Sequence, residues 1–257
     1  MKAILTAGVL LLLGGSAPAM AQWFNIPTPG LPRNADGSPK LDAPPPKFEN
    51  GTPDLRGIWH QPDGIKYTVN LDADLPEGSV KMLPEAAALY KHRRDTLSKE
   101  DPVGHCLLPG VPQMNAVPYP YKILQDDHQI TILYEAFRTF REIFLDGREL
   151  PVDPNPAWFG YSVGHWEGDT LVVESSGFNG KTWVDTGGHP STDQLRVIER
   201  YTRRDVGHID LETTVIDPGS YEEPWTVSYE LELMPDTELL EYLCTENNKD
   251  LEHLVGK

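Results

Sequence analysis

The chain has 257 residues, 39% of them apolar and 24% charged, and 22 basic against 39 acidic side chains give a formal net charge of −17. That length suits a single all-β domain, since sandwiches and barrels commonly run to about 200–250 residues. The acidic excess repels phosphate backbones and anionic headgroups, so nucleic acid and membrane surfaces are set aside as partners.

Lys2 supplies a positive n-region, Ala3 to Leu13 is apolar apart from Thr6 and Gly8, and Ala19-Met20-Ala21 is a small-x-small cleavage site. This predicts a signal peptide over 1–21, cleaved before Gln22, and a periplasmic or secreted mature protein. Gly14, Gly15, Ser16 and Pro18 end the apolar run well short of the ~20 residues that cross a bilayer. No later segment has the hydropathy of a span, and the mature chain is expected to be soluble.

Residues 22–51 are rich in Pro and polar side chains, as in Ile26-Pro27-Thr28-Pro29 and Pro44-Pro45-Pro46. Such a segment cannot bury enough surface to order itself and reads as an extended arm. Residues 52–257 form one predicted domain. It begins at Pro53-Asp54-Leu55-Arg56-Gly57-Ile58-Trp59, a turn leading into a short strand anchored by Trp59. Pro84 to Lys99 is a predicted surface helix, with Pro at N1, basic residues toward its C-terminal end and a small apolar face.

Beyond a second Pro-rich stretch, Cys106 to Pro120, the pattern becomes one of strands and tight turns. Predicted strands cover Tyr121 to Gln125, Gln129 to Ala136, Phe137 to Leu145, Tyr161 to His165, Thr170 to Ser175, Leu195 to Arg204, His208 to Asp217, Thr226 to Leu233 and Glu238 to Cys244. Alternation is clearest late in the chain, where Val227, Tyr229, Leu231 and Leu233 share one face and Ser228, Glu230 and Glu232 the other. The short connections argue for nearly all-antiparallel pairing. The expected fold is therefore an antiparallel β-barrel or strongly curved sheet, lipocalin-like, with one surface helix and an extended N-terminal arm.

Cys106 and Cys244 both fall in the exported part, where disulfides persist. A bridge would tie the Pro-rich loop to the last predicted strand, with ~4–5 kcal/mol of loop-closure entropy. A thiolate nucleophile or metal thiolate beside His105 is the competing reading.

Several strands place charge where apolar residues are expected. Phe137, Thr139, Arg141 and Ile143 share a face, Leu171-Val172-Val173 runs into Glu174, and Glu199 lies among Leu195, Val197 and Tyr201. Buried ionisable groups need partners, so an Arg141 to Glu174 or Arg141 to Glu199 pair follows, either as a structural network or as ligand-binding groups in a barrel lumen. The loop from Phe178 to Asp193 carries Asn179, Lys181, Trp183, Asp185, His189 and Asp193 among small residues. Patternless loops of about sixteen residues are usually functional or disordered, and Trp183 argues against disorder. His189 is the natural general acid or base, with Asp185 to orient it. No His-x-His, His-x3-His or Cys-x2-Cys pair occurs, and His165, His189 and His208 are far apart in sequence, although strands could bring them together. No metal ligand set is assigned. A nucleophile elbow, phosphate loop and dinucleotide fingerprint are all absent, and no cofactor is expected.

The segments Pro53 to Trp59, Asp101-Pro102-Val103-Gly104-His105-Cys106, Tyr161 to Glu174 and Gly188-His189-Pro190 together resemble a large family of exported bacterial proteins of unassigned function. The likeness covers nearly the whole mature chain, and Trp166-Glu167-Gly168-Asp169 is its most specific part. It implies an exported, mainly β domain and carries no activity. In that family's pattern a basic residue other than His can stand at His165, whereas a His at the position of His189 is typical.

These readings combine into an exported enzyme performing cofactor-independent acid-base chemistry, such as elimination, hydration or isomerisation, on a small, partly apolar molecule. His189 moves the proton and Asp185 orients it, Arg141 and Tyr134 hold a substrate oxygen, and Glu174 is the second acid-base group or the arginine's partner. Trp183, Tyr161 and Trp158 are the candidate substrate contacts. The alternatives are a lipocalin-type carrier, with Trp59, Trp158, Phe159 and Trp183 enclosing an apolar ligand, and a metal-dependent hydrolase.

Overall fold

The computed structural model describes residues 26–246. The predicted signal peptide lies outside the described residues. Nine strands form, β1 (Gly57–His60), β2 (Tyr121–Gln125), β3 (Gln129–Tyr134), β4 (Thr139–Phe144), β5 (Tyr161–Glu167), β6 (Thr170–Ser176), β7 (Arg196–Arg203), β8 (His208–Ile216) and β9 (Trp225–Leu233). They close into one barrel in chain order. Every neighbouring pair is antiparallel except β4 and β5, which run parallel through Ile143↔Ser162 and Phe144↔Val163. That single exception fits the expectation of nearly all-antiparallel pairing: a parallel pair needs a long return connection, and residues 145–160 provide it. Closure is by β1 and β9, paired at Trp59↔Leu233 and His60↔Glu232.

Alternation dictates which side chains enter the barrel. In β9, Trp225, Val227, Tyr229, Leu231 and Leu233 are buried, and β8 matches them with Ile209, Leu211, Thr213 and Val215. The same rule sends Arg141 and Glu199 inward. Their side chains are 1% and 0% exposed, and Arg141 Nη2 donates to Glu199 Oε2 at 2.5 Å while Nη1 donates to Oε1 at 3.2 Å. Arg141 also donates to Ser162 Oγ (3.1 Å) and Ser175 Oγ (2.8 Å). Glu199 Oε1 further accepts from Asn115 Nδ2 (2.5 Å) and the Tyr201 hydroxyl (2.8 Å), and the Tyr134 hydroxyl donates to Asn115 Oδ1 (2.8 Å). Burial works against the guanidinium charge, but Glu199 beside it, together with Tyr134 and Tyr201, outweighs that cost and holds Arg141 above the usual arginine range.

Among the described residues three α-helical segments accompany the barrel, α1 (Lys66–Val69), α2 (Pro84–Asp95) and α3 (Gln113–Ala116). α3 delivers Asn115 to the lumen network, and Tyr67 of α1 stacks on Tyr229 at 5.1 Å. α2 ends four residues before the predicted Lys99, because Thr96 caps it through Oγ1 to the His92 carbonyl and Leu97 and Ser98 turn left-handed.

Two expectations about the chain ends change. The described part of the arm, too polar to fold alone, is ordered by borrowed partners. Ala43 and Leu41 carbonyls accept from Val206 and Gly207, Asp236 binds Arg33 and Thr28, and Ala43 is buried. The predicted strand Glu238 to Cys244 does not form. β9 already has β8 and β1 on its two edges, so the chain after Pro235 is held by side chains instead, with Leu240 N donating to Glu135 and Tyr242 stacking on Tyr119. Cys106 and Cys244 form the expected disulfide, with Cα atoms 5.6 Å apart.

Removing one partner of a desolvated ion pair costs about 3–5 kcal/mol. Arg141→Met should lower stability by that order in urea denaturation. Arg141→Met combined with Glu199→Gln should recover a substantial part of the loss, because the buried charge left behind is then gone.

Candidate active site

The 178–193 loop is a packed element. Phe178, Trp183 and Val184 are buried, as are the polar Thr182, Asp185 and His189. Two glycines let it pass between α1 and α2. A Cβ at Gly187 would meet the Val69 carbonyl oxygen at 2.1 Å, and Gly188, at φ +110°, would meet Arg93 Cβ at 2.8 Å.

His189 Nδ1 lies 2.6 Å from Asp185 Oδ2, and the two residues are 1% and 0% exposed. Asp185 is held in turn by the backbone. Its Oδ1 accepts from the N–H groups of Gly188 (2.9 Å) and His189 (3.1 Å), and Oδ2 accepts from Leu71 N (2.9 Å). Because the carboxylate only accepts, this contact puts the proton of the neutral ring on Nδ1 and leaves the Nε2 lone pair free. Nε2 faces Asp72 Oδ2 at 3.6 Å, too long for a hydrogen bond, and the Asp72 side chain is 24% exposed. Asp72 therefore stands between the buried ring and solvent. The imidazole stacks on Tyr90 of α2 at 4.4 Å and tilts against Trp225 at 5.8 Å.

Arg93 completes the cover. Its guanidinium sits 4.0 Å above the Trp183 ring and donates to the Gly188 carbonyl at 3.1 Å, and burial pulls it down to about 10. Asp101, which caps a short 3-10 turn through Val103 N, is pushed up to about 6 by burial, against that hydrogen bond and with the charge of Asp185 adding to the rise. Local charge is thus carboxylate-rich, with one desolvated arginine.

The sequence-derived site residues separate into groups. His189 and Asp185 come together as expected. Arg141 and Tyr134 bond within the lumen network and not to His189. Glu174 is neither the partner of Arg141 nor beside His189. In β6, Leu171, Val173 and Ser175 point inward, so Glu174 points out and pairs with Arg196 at 2.8 Å. Tyr161 is on the outer surface, stacked on Phe144 at 5.2 Å and accepting from Arg148. Trp158 packs on the edge of the core, and only Trp183 adjoins the His189 loop cover. The four aromatics expected to enclose a ligand are likewise dispersed, with Trp59 under Arg203 at 4.8 Å and Phe159 on Tyr134 at 5.5 Å.

Sequence reasoning missed Asp72, Tyr90 and Asn115. Asp72 lies in a polar turn, Leu71-Asp72-Ala73-Asp74, that carries no periodic signal, and only the fold brings it to His189.

The raised Asp101 carboxyl has a definite stability consequence. The folded state binds its proton more tightly than the unfolded chain, so its favourable contribution is complete below about pH 4 and lost as pH rises through about 6. Asp101→Asn keeps an acceptor for Val103 N and removes the titration. Thermal melts should show the variant more stable than the parent at pH 8, with the difference vanishing near pH 4.

No protein-family model matches the chain, and neither a curated protein nor a solved structure matches it.

Proposed function

We propose that the protein is an exported enzyme that moves protons on a small, partly apolar molecule, using His189 as acid-base and no organic cofactor. One observation carries this reading. Asp185 spends its lone pairs on three backbone N–H groups and the imidazole, so that His189 Nε2 and the Asp72 carboxylate converge at 3.6 Å, with Asp72 between the ring and solvent. Two basic atoms at one point can take a proton from carbon and return it to a neighbouring atom, as elimination, hydration or isomerisation requires. Tyr90 and Trp225 offer the apolar walls, and the surrounding carboxylates favour a neutral or cationic substrate over an anionic one. Export is supported by the n-region, h-region and cleavage pattern and by the Cys106–Cys244 disulfide. Among the described residues no helix is long and apolar enough to cross a membrane.

A second reading, a carrier of a small polar molecule, draws on one other feature. Among the described residues the buried Tyr121 hydroxyl and the Gln113 amide have no hydrogen-bond partner, and buried polar groups rarely go unpaired.

Incubation in D2O with a panel of small, uncharged β-hydroxy and α,β-unsaturated carbonyl compounds tests the enzyme reading. Deuterium should enter the carbon next to the carbonyl of at least one of them, and His189→Gln should slow that exchange by about 10²-fold or more. Asp72→Asn should slow it about 10-fold or more with a melting temperature within ~2 °C of the parent, because the Asp72 side chain is partly exposed and makes no hydrogen bond to His189. Asp185→Asn should lose about 1–3 kcal/mol of stability as well, through its backbone bonds. Exchange that never exceeds the buffer rate, or that survives in His189→Gln and Asp72→Asn, contradicts the proposal.

A further inference from the structure

Sheet register places two histidines and two glutamates together on the outer face, away from the His189 loop. His60 of β1 and His208 of β8 are both register partners of Glu232 on the central strand β9, so His60, Glu232 and His208 form one row across three strands. Glu230, two residues from Glu232 on β9, shares its face. Among the described residues, His208, Glu230 and Glu232 bring a ring nitrogen and two carboxylate oxygens within 4.8 Å of one another. His60 Nε2 lies 3.9 Å from Glu232 Oε2. Ligand atoms ~2.1 Å from a shared ion sit about 3.4 Å apart at tetrahedral angles, so small rotamer shifts close this set around one ion.

Orientation of the imidazole is the second argument. His208 Nδ1 is 2.7 Å from Asp205 Oδ1, the carboxylate-to-histidine contact that fixes the tautomer and presents Nε2 to a metal. Asp205 is fixed too, because Oδ1 also accepts from Gly207 N at 2.9 Å. Charge favours a cation, since the four carboxylates of Glu230, Glu232, Asp205 and Asp210 outnumber the guanidiniums beside them, that of Arg204, which bonds Glu230 and Asp210, and that of Arg203, which feels the charge of Asp205. Arg204 must release Glu230, or leave it one free oxygen, when an ion binds.

We propose that His60, His208, Glu232 and Glu230 bind a divalent transition-metal ion, with Asp205 as the positioning residue. Two imidazoles and two carboxylates suit Zn(II) and its neighbours better than Ca(II) or Mg(II), which prefer all-oxygen sites. The location gives the ion a role. β1 and β9 close the barrel through two register pairs, and an ion held by β1, β9 and β8 would staple that seam.

The test uses the mature chain without a histidine tag, freed of metal with a chelator and titrated with Zn(II) alone by calorimetry, with Co(II) absorption as a report on geometry. The expected result is one equivalent bound with a Kd below about 10 μM and a Tm that rises in Zn(II) and returns with chelator. His208→Ala and Glu232→Gln should each weaken binding at least 10-fold, and Asp205→Asn by about 10- to 100-fold. Each variant's circular dichroism is compared with the parent's, and His60→Ala serves as an independent probe from the opposite strand. No saturable Zn(II) binding below about 100 μM overturns the proposal. So does binding that persists in both His208→Ala and Glu232→Gln, or that is lost in His189→Gln instead, which would put the ion in the other site.

Discussion

The ion pair between Arg141 and Glu199 is the constraint on which the rest of this molecule depends. Both side chains are fully desolvated, and such a pair survives only when its remaining donors and acceptors are occupied. Here they are, by Ser162 on β5, Ser175 on β6, Tyr201 on β7 and Asn115 on α3. Satisfying those bonds sets the inward face of four strands and seats α3 against them. A one-residue slip of β4 or β7 would turn one charge outward and leave the other unpaired in the core, and a slip of β5 or β6 would take a serine from the guanidinium. The pair thus specifies register while it fills the lumen with protein.

Filling the lumen leaves the loops as the place for chemistry. The loop of His189 repeats the same physical logic on a smaller scale, with one buried carboxylate satisfied by several donors from separate segments. Asp185 joins its own loop to the 66–72 segment through Leu71 N, and Gly187 and Gly188 permit the close approach. The imidazole is then oriented by a group that cannot move without breaking backbone bonds, and α2 lays Tyr90 over its face. Positioning of this kind separates a poised acid-base from a surface histidine such as His165, which is exposed and paired with Glu167.

Much of the barrel was legible because period-2 burial is a local property. Val227, Tyr229, Leu231 and Leu233 announced an inner face, and Glu199 could be placed on the face of Val197 and Tyr201 from spacing alone. Identifying the partner of Arg141 required register, which spacing does not contain, so Glu174 and Glu199 were both admissible until β6 was seen to turn Glu174 outward. The failed strand at Glu238 to Cys244 had acceptable composition, but the ladder positions it would have used were taken by β1 and β8. Asp72, Asn115 and the row of His60, Glu232 and His208 are products of long-range pairing, and no window of sequence holds them together.

The central claim is that Asp185 fixes His189 so that Nε2 is the working atom. Long-range 15N–1H correlation spectra of ring-labelled histidine read this directly in the unmodified protein. The account predicts a hydrogen-bonded proton on Nδ1 of His189 and a bare Nε2 in the neutral ring; a proton found on Nε2, facing Asp72, would contradict it.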